Sequence, residues 1–247
     1  MSQEPFRIIF TYVCRYYTIL KLASLYSGGK DSNYAIFEIS QQGHDVACLI
    51  SIETMISDSL LFHFPNIRFT SNLAEALNLP MRRFQSTRSK LSDEILVLEN
   101  ALASVRDEFE IQGVVHGGIS SNFQKRNFET VCKKLGLSVF SPLWNLDPTK
   151  YLHKMIDEKF EIVIVGVSAL GLEREWLGTL LDHDNVKKLE SLSLRYGFNL
   201  NFEGGEAETI VVDCSLYKKK FRIKEGVVKW FGDNGIFEIT DYELIDK

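Results

Sequence analysis

The sequence has few of the residues from which zinc knuckles, redox centres and membrane spans are built. Its 247 residues include four cysteines, which lie far apart and form no CxxC pair. That scarcity argues against a zinc knuckle or a thioredoxin-type centre and fits a reducing compartment. The longest apolar runs fall well short of the ~18–20 residues that a membrane span needs, and no small-residue cleavage site suggests a signal peptide. We therefore expect a cytoplasmic protein with no membrane partner.

Basic residues are also too few to favour a nucleic-acid-binding surface. The chain carries 28 Lys and Arg against 33 Asp and Glu, a formal net charge of −5. Because nucleic-acid binding usually needs a basic face, we expect no nucleic-acid partner. The remaining composition, 45% apolar and 25% charged residues, is that of a globular protein with one large domain or two modest ones.

From Lys21 onward, strand and helix patterns alternate. The run Val46–Ile52 is continuously apolar, as expected of a strand buried on both faces, and apolar residues between 90 and 110 follow one helical stripe. Further strands are predicted at 21–26, 80–84, 113–116 and 138–140. Such alternation predicts an α/β protein with a Rossmann-like, mostly parallel sheet and helices on both faces. Ligands bind at the carboxyl ends of the strands in such sheets.

After Trp144 the pattern changes. Asp147 and Pro148 fit the cap and the first turn of a helix, Glu161–Val167 is typical of a buried strand, and short strands with turns are expected from Thr209 on.

These changes predict three parts. Residues 1–20 are an N-terminal extension, with an extra edge strand or helix as the equal alternative. Residues 21–145 form a nucleotide-binding domain, and residues 146–247 form a smaller α+β substrate-binding domain.

The segment SGGKDS, Ser27 to Ser32, is the most informative, because it follows a predicted strand and opens a predicted helix. Gly28 and Gly29 permit positive φ and close backbone approach. The helix N-terminus points N–H groups at an anion, Lys30 adds a cation, and the two serines add hydroxyl donors. The segment therefore predicts a phosphate-binding loop rather than an incidental glycine turn.

Two common nucleotide motifs do not fit this loop. A Walker A motif would need glycine at Ser24 and Ser or Thr at Asp31. A dinucleotide fingerprint fails because Gly28 and Gly29 are adjacent. The segment resembles instead the SGGxDS pyrophosphate loop of the N-type ATP pyrophosphatases.

Two other segments carry candidate binding groups. The first, which we call the acidic turn, is Glu203–Thr209, where Glu203, Glu206 and Glu208 surround Gly204 and Gly205. Close carboxylates repel one another, so they favour a site for ammonium, Mg²⁺ or a cationic substrate; a solvated turn is the alternative.

The second segment follows the strand that ends at His116. There Asn122 and Gln124 supply uncharged donors at the predicted crevice, and Lys125 and Arg126 either meet phosphate or form a solvated helix face.

Taken together, these segments resemble the archaeal and eukaryotic diphthine–ammonia ligase family. The resemblance spans about Lys21 to Lys220. Its motifs, in chain order, are LYSGGKDS, LLFHFPNIR at 60–68, SSNFQ at 120–124, SPLW at 141–144, VSALGLEREWLG at 167–178 and EGGEAET at 203–209. The family often has Tyr at the position of Ala207.

The resemblance implies both a fold and a reaction. The fold is a HUP-type, PP-loop ATP pyrophosphatase domain. The reaction is ATP-dependent amidation of diphthine on translation elongation factor 2 by ammonium, through an acyl-adenylate, with release of AMP and pyrophosphate. ATP and Mg²⁺ are the implied cofactors; the oligomeric state stays open, a homodimer included.

The resemblance also implies roles for particular residues. Catalytic candidates are Lys30, Asp31 and Glu206, with Asp31 as the Mg²⁺ ligand. Nucleotide-binding candidates are Ser27, Gly28, Gly29, Lys30, Asp31, Ser32, His63 and Gly117. Substrate-binding candidates are Asn122, Gln124, Glu203, Gly204, Gly205, Glu206 and Glu208. Trp144 and Trp176 either form an aromatic wall for a quaternary ammonium or pack in the core.

Two rival functions remain at this point. One is another N-type pyrophosphatase, for example a tRNA-modifying enzyme, although paired catalytic cysteines and a basic face are not apparent. The other is a non-catalytic module that senses ATP or AMP.

Overall fold

A computed structural model of the chain describes residues 18–54, 67–86 and 90–247. Most of the predicted N-terminal extension and His63 lie outside the described residues. The described chain forms two sheets, one in each half of the sequence.

The first half alternates strands and helices, as the sequence predicts. The elements in order are β1 (Lys21–Leu25), α1 (Lys30–Gln41), β2 (Asp45–Thr54), α2 (Thr70–Leu77), β3 (Met81–Ser86), α3 (Leu91–Phe109), β4 (Gly113–Val115), α4 (Asn122–Lys134) and β5 (Ser138–Phe140). The five strands are parallel in the order β3-β2-β1-β4-β5. The order reverses between β1 and β4, which places a binding crevice at their carboxyl ends.

Burial explains why these segments take these forms. In β2, Cys48, Leu49 and Ile50 are at most 1% exposed, because helices cover both faces of the sheet. The predicted stripe of α3 is confirmed at Leu98 and Leu102, which are fully buried in one apolar cluster with α4. The helices α1 and α2 pack on the opposite face, in a cluster that continues into the second half of the chain.

The second half forms an antiparallel sheet with two helices. Its elements are α5 (Pro148–Asp157), β6 (Glu161–Val167), α6 (His183–Tyr196), β7 (Ala207–Asp213), β8 (Lys219–Trp230) and β9 (Gly235–Asp246). The strand order is β7-β6-β9-β8. The predicted cap is confirmed, since the Asp147 carboxylate accepts the N–H of Lys150 at 2.9 Å. Together the two sheets confirm the predicted fold class.

The expectation of short strands after Thr209 is wrong for the last two strands. β8 and β9 have 12 residues each and pair along their whole length. Gly226 does not end β8; the register shifts beside it, and the Phe237 ring occupies the space where a Cβ would lie. Gly226 therefore lies at a β-bulge inside β8, and the strand continues past it.

None of the helices in the described ranges is long and apolar enough to cross a membrane. The three described cysteines, Cys48, Cys132 and Cys214, are buried, and burial raises the pKa of each thiol to about 12.

Candidate functional site

The loop between β1 and α1 lies at the crevice and is held by its own side chains. Gly28 has φ +79°, and a Cβ there would lie 2.5 Å from Leu73 Cδ1, so glycine fits both the backbone and the space. The hydroxyls of Ser27 and Ser32 lie 3.2 Å apart, and the Gly29 N–H donates to Ser27 Oγ at 3.3 Å. The two serines therefore shape the loop from inside.

The second half of the chain contacts this loop directly. The Lys30 N–H donates to the Thr209 hydroxyl at 3.2 Å, and the Val211 N–H donates to the Gly28 carbonyl at 3.1 Å. Strand β7 therefore fixes the N-terminus of α1, and the acidic turn, whose last three residues belong to β7, lies beside the loop.

The side chain of Lys30 is buried and paired. It is 2% exposed; its ammonium lies 2.8 Å from both carboxylate oxygens of Asp31 and donates to the Asn201 carbonyl at 2.6 Å. The Tyr151 hydroxyl donates to the same carboxylate at 2.6 Å. Tyr151, which the sequence does not single out, thus orients Asp31. Burial, together with the charge of Asp31, raises the pKa of the Tyr151 phenol well above its usual value.

Two carboxylates of the acidic turn bind backbone amides. Glu203 accepts the N–H groups of Ile119 and Ser120, the latter at 2.7 Å, and also the Ser120 hydroxyl. Glu206 accepts the N–H of Gly204 at 2.8 Å and that of Asn199 at 3.2 Å. Glu203 therefore joins the turn to the loop after β4, and Glu206 braces the turn itself.

Glu208 is placed differently. It pairs with Gly166 of β6, where a Cβ would lie 3.1 Å from the Glu208 Cβ. Burial raises the pKa of the Glu208 carboxyl to about 7; Lys30 acts in the opposite direction, and the Asp31 and Glu206 charges add to the rise. This carboxyl changes charge near neutral pH.

The loop after β4 approaches the first turn of α1. A Cβ on Gly117 would lie 2.6 Å from the carbonyl carbon of Asp31, so only glycine allows this contact. His116, a further residue that the sequence does not single out, holds the loop: its Nδ1 accepts the Gly118 N–H at 3.1 Å, and its Nε2 lies 2.7 Å from Ser141 Oγ. Burial, with Lys125 nearby, lowers the pKa of His116 to about 4, so this imidazole is neutral.

The remaining sequence candidates have other surroundings where the structure describes their side chains. Asn122 is exposed at the start of α4, and the side chain of Gln124 lies outside the described residues. Trp176 is 6% exposed in the core, whereas the Lys125 ammonium lies 4.0 Å from the Trp144 ring centroid. The structure thus brings together Lys30, Asp31 and Glu208 with Thr209 and Tyr151.

The residues of the crevice fit a nucleotide and one ligand of a Mg²⁺ ion. A glycine-rich loop that leads into a helix N-terminus fits the phosphates of a nucleotide. Asp31 fits as a single carboxylate ligand of a Mg²⁺ ion that also binds phosphates. Within residues 18–54, 67–86 and 90–247, no group of three or more His, Cys, Asp or Glu side chains could hold a metal ion. Any Mg²⁺ would therefore depend on the nucleotide.

A five-stranded parallel sheet with an SGGKDS loop at its switch point defines a Rossmann-like nucleotide-binding protein of the PP-loop class. Two family models match the chain: the diphthamide synthase N-terminal domain over residues 20–139 and the diphthamide synthase C-terminal domain over residues 147–245. The chain therefore belongs to the diphthine–ammonia ligase family, and the predicted resemblance and the ligase class are confirmed.

Curated relatives agree with this membership. The diphthine–ammonia ligase of Bos taurus is 32% identical over 228 residues, which cover 85% of each chain. That of Rattus norvegicus is 34% identical over 219 residues, or 81% of this chain and 82% of the relative. A solved structure described as a predicted subunit of tRNA methyltransferase from Methanocaldococcus jannaschii has a TM-score of 0.43 at 17% identity, covering 80% of this chain and 98% of that one.

Proposed function

We propose that this protein amidates diphthine on translation elongation factor 2 with ammonium, consuming ATP and releasing AMP and pyrophosphate. Family membership over both halves of the chain supports the reaction. The observation that carries it is the contact between the SGGKDS loop and β7, through Lys30 and Thr209, because it joins a phosphate-binding loop to an acidic turn suited to a cation.

The chemistry explains why a nucleotide is needed. A carboxylate resists attack by ammonia, since its leaving group would be oxide. Transfer of the adenylyl group to the carboxylate gives an acyl-adenylate whose leaving group is AMP. The N–H groups at the start of α1 and the Lys30 ammonium stabilise the charge that develops on the departing pyrophosphate. To contact the phosphates, Lys30 must then give up part of its ion pair with Asp31.

Asp31 is the residue of this chain that we assign to Mg²⁺. Its carboxylate is held by Tyr151 and Lys30 and is 30% exposed, so it faces the crevice in a fixed orientation. Bound Mg²⁺ supplies charge neutralisation for the phosphates. Asp31 would hold the ion once Lys30 turned toward the phosphates.

We assign the nucleotide to residues 21–145 and the diphthine-bearing protein to residues 146–247. The acidic turn lies between the two and suits the permanent cation of diphthine as well as ammonium. Elongation factor 2 as the partner implies a cytoplasmic location, and no nucleic-acid or membrane partner is needed.

The test uses the purified protein, elongation factor 2 bearing diphthine, ATP, Mg²⁺ and ammonium. We expect AMP to form in proportion to diphthamide, and only when all components are present. Lys30→Ala and Asp31→Ala should abolish both products, with circular dichroism unchanged. Tight ATP binding without AMP would favour a nucleotide sensor, and AMP formation dependent on tRNA would favour a tRNA-modifying enzyme. Either result would contradict the proposal.

A further inference from the structure

The three carboxylates of the acidic turn have different surroundings. Glu203 and Glu206 each accept two backbone N–H groups, so their oxygens are committed to the backbone. The Glu208 carboxyl, in contrast, has no hydrogen bond or ion pair within the described part of the chain. Its oxygens are therefore the ones left for a ligand.

The position of Glu208 places it next to the loop. Thr209, the next residue in β7, accepts the N–H of Lys30, and the missing side chain of Gly166 leaves room beside the Glu208 stem. A larger residue than glycine at 166 would displace that stem. The carboxyl is thus held at the junction of the two halves.

The charges around Glu208 suit a cation that can lose a proton. The Lys30 ammonium and the Asp31 and Glu206 carboxylates all act on it. Because Asp31 is paired with Lys30, Glu206 and the ionised form of Glu208 leave an excess of negative charge in a partly dry site. Such a site attracts a small cation, and a carboxyl that is costly to ionise is a better proton acceptor than an ordinary one.

We propose that Glu208 binds ammonium and removes one of its protons, so that ammonia is delivered to the activated carboxyl group. This proposal rests on the proposed function and assigns a catalytic residue to its second half-reaction. The elevated pKa of Glu208, about 7, supports this role, because it is closer to the pKa of ammonium than that of an ordinary carboxyl group. The proton transfer is therefore less unfavourable.

Glu208 takes one proton from NH₄⁺ and becomes a carboxylic acid. The nitrogen lone pair of NH₃ forms the C–N bond at the carbonyl carbon. The C–O bond to AMP breaks, and AMP leaves with its electron pair. The nitrogen then loses a second proton to water, and Glu208 returns its proton to solvent.

The test separates the two half-reactions in Glu208→Gln. We expect diphthine-dependent ATP–pyrophosphate exchange, which reports adenylation alone, to stay within about threefold of the wild-type rate. Amidation by ammonium should fall by roughly 100-fold or more, the usual contribution of a general base. Hydroxylamine, which is unprotonated at neutral pH, should still form the hydroxamate at a rate near that of the wild type.

The controls make every outcome informative. Glu225→Gln changes an exposed carboxylate on β8 and should alter neither half-reaction. Glu208→Asp, which keeps a carboxylate, should retain more amidation than Glu208→Gln. Undiminished amidation in Glu208→Gln, or equal losses with ammonium and hydroxylamine, would overturn the role of Glu208. Absence of exchange in the wild type would instead contradict the proposed function.

Discussion

The backbone N–H of Lys30, the first residue of α1, donates to the hydroxyl of Thr209 at 3.2 Å, across 179 positions of sequence. One hydrogen bond thus ties the start of the phosphate-loop helix to the strand that follows the acidic turn. On the proposed function, the two halves of the chain would share one site through this contact, so we expect changes in either half to alter the same reaction.

Thr209→Val tests that tie. The change keeps the shape of the side chain but removes the acceptor, and leaving the Lys30 N–H unpaired should cost about 1–2 kcal/mol of unfolding free energy. We also expect the KM for ATP to rise severalfold, because the N-terminus of α1 is less firmly placed. Urea unfolding and ATP titration measure the two effects. Thr130→Val on α4, whose hydroxyl bonds only the Arg126 carbonyl, is the matched control, and identical results for both variants would contradict the prediction.

Gly117→Ala tests the close approach of the β4 loop to α1. The added Cβ would lie 2.6–2.9 Å from backbone atoms of Asp31 and Ser32, so either the loop or the helix must move. We expect a loss of roughly 2 kcal/mol in unfolding free energy or more and a large loss of AMP formation. Gly43→Ala has positive φ but an open environment, so it should cost about 1 kcal/mol with normal AMP formation. Normal activity in Gly117→Ala would show that this contact does not position Asp31.

Glu208→Gln should stabilise the protein at alkaline pH. The pKa of Glu208 is about 7 in the folded chain against an ordinary 4.5. Its stabilising contribution is therefore complete below pH 4.5 and is lost as pH rises through 7. At pH 8 the ionised carboxyl should cost about 1–3 kcal/mol, which the neutral amide avoids. Urea unfolding should show a more stable variant at pH 8 and no difference near pH 4.5; a variant less stable at pH 8 would contradict the burial of this charge.

His116 should make the protein sensitive to acid. Its pKa is about 4 in the folded chain against 6.5 ordinarily, so stability is lost as pH falls from 6.5 toward 4. In His116→Gln this part of the pH dependence of unfolding should disappear, although the variant is less stable at pH 8 because the Ser141 contact changes. An unaltered acid profile in the variant would contradict a buried, neutral His116.

Tyr151→Phe should reduce catalysis more than stability. The phenol is the group that orients Asp31 beside Lys30, and its loss should remove about 1 kcal/mol of stability. We expect kcat for AMP formation to fall about tenfold. The Mg²⁺ concentration that gives half-maximal activity should rise, because the Asp31 carboxylate is no longer held in one orientation. Tyr242→Phe, on a ring that stacks on Phe221, is the control. Equal kcat values for the two variants would contradict the positioning role.

The fold was predictable where local pattern and burial agree. Val46–Ile52 is apolar throughout because β2 is covered on both faces, and the α3 stripe follows from one buried side at Leu98 and Leu102. The length of β8 was not predicted from sequence, because the strand continues through a register shift beside Gly226, where the Phe237 ring packs over the glycine.

The candidate site was predictable as segments but not as contacts. The SGGKDS loop and the acidic turn can be recognised from their amino-acid composition alone. The different surroundings of the three glutamates depend on backbone amides from distant segments, such as those of Ile119 and Ser120 at Glu203. No local sequence pattern predicts these contacts. Tyr151 carries no motif signal, whereas His116 stands directly before a glycine pair at a strand end, a position that could have marked it.

The most direct measurement follows the oxygen atoms of the substrate. Diphthine whose carboxylate carries a heavy oxygen isotope is converted with ATP and ammonium, and the products are examined by mass spectrometry. We expect one labelled oxygen to appear in AMP and the other to stay in the amide, because adenylation makes one carboxylate oxygen the leaving atom. Label in inorganic phosphate or pyrophosphate, or AMP without label, would contradict activation of the carboxylate by adenylation.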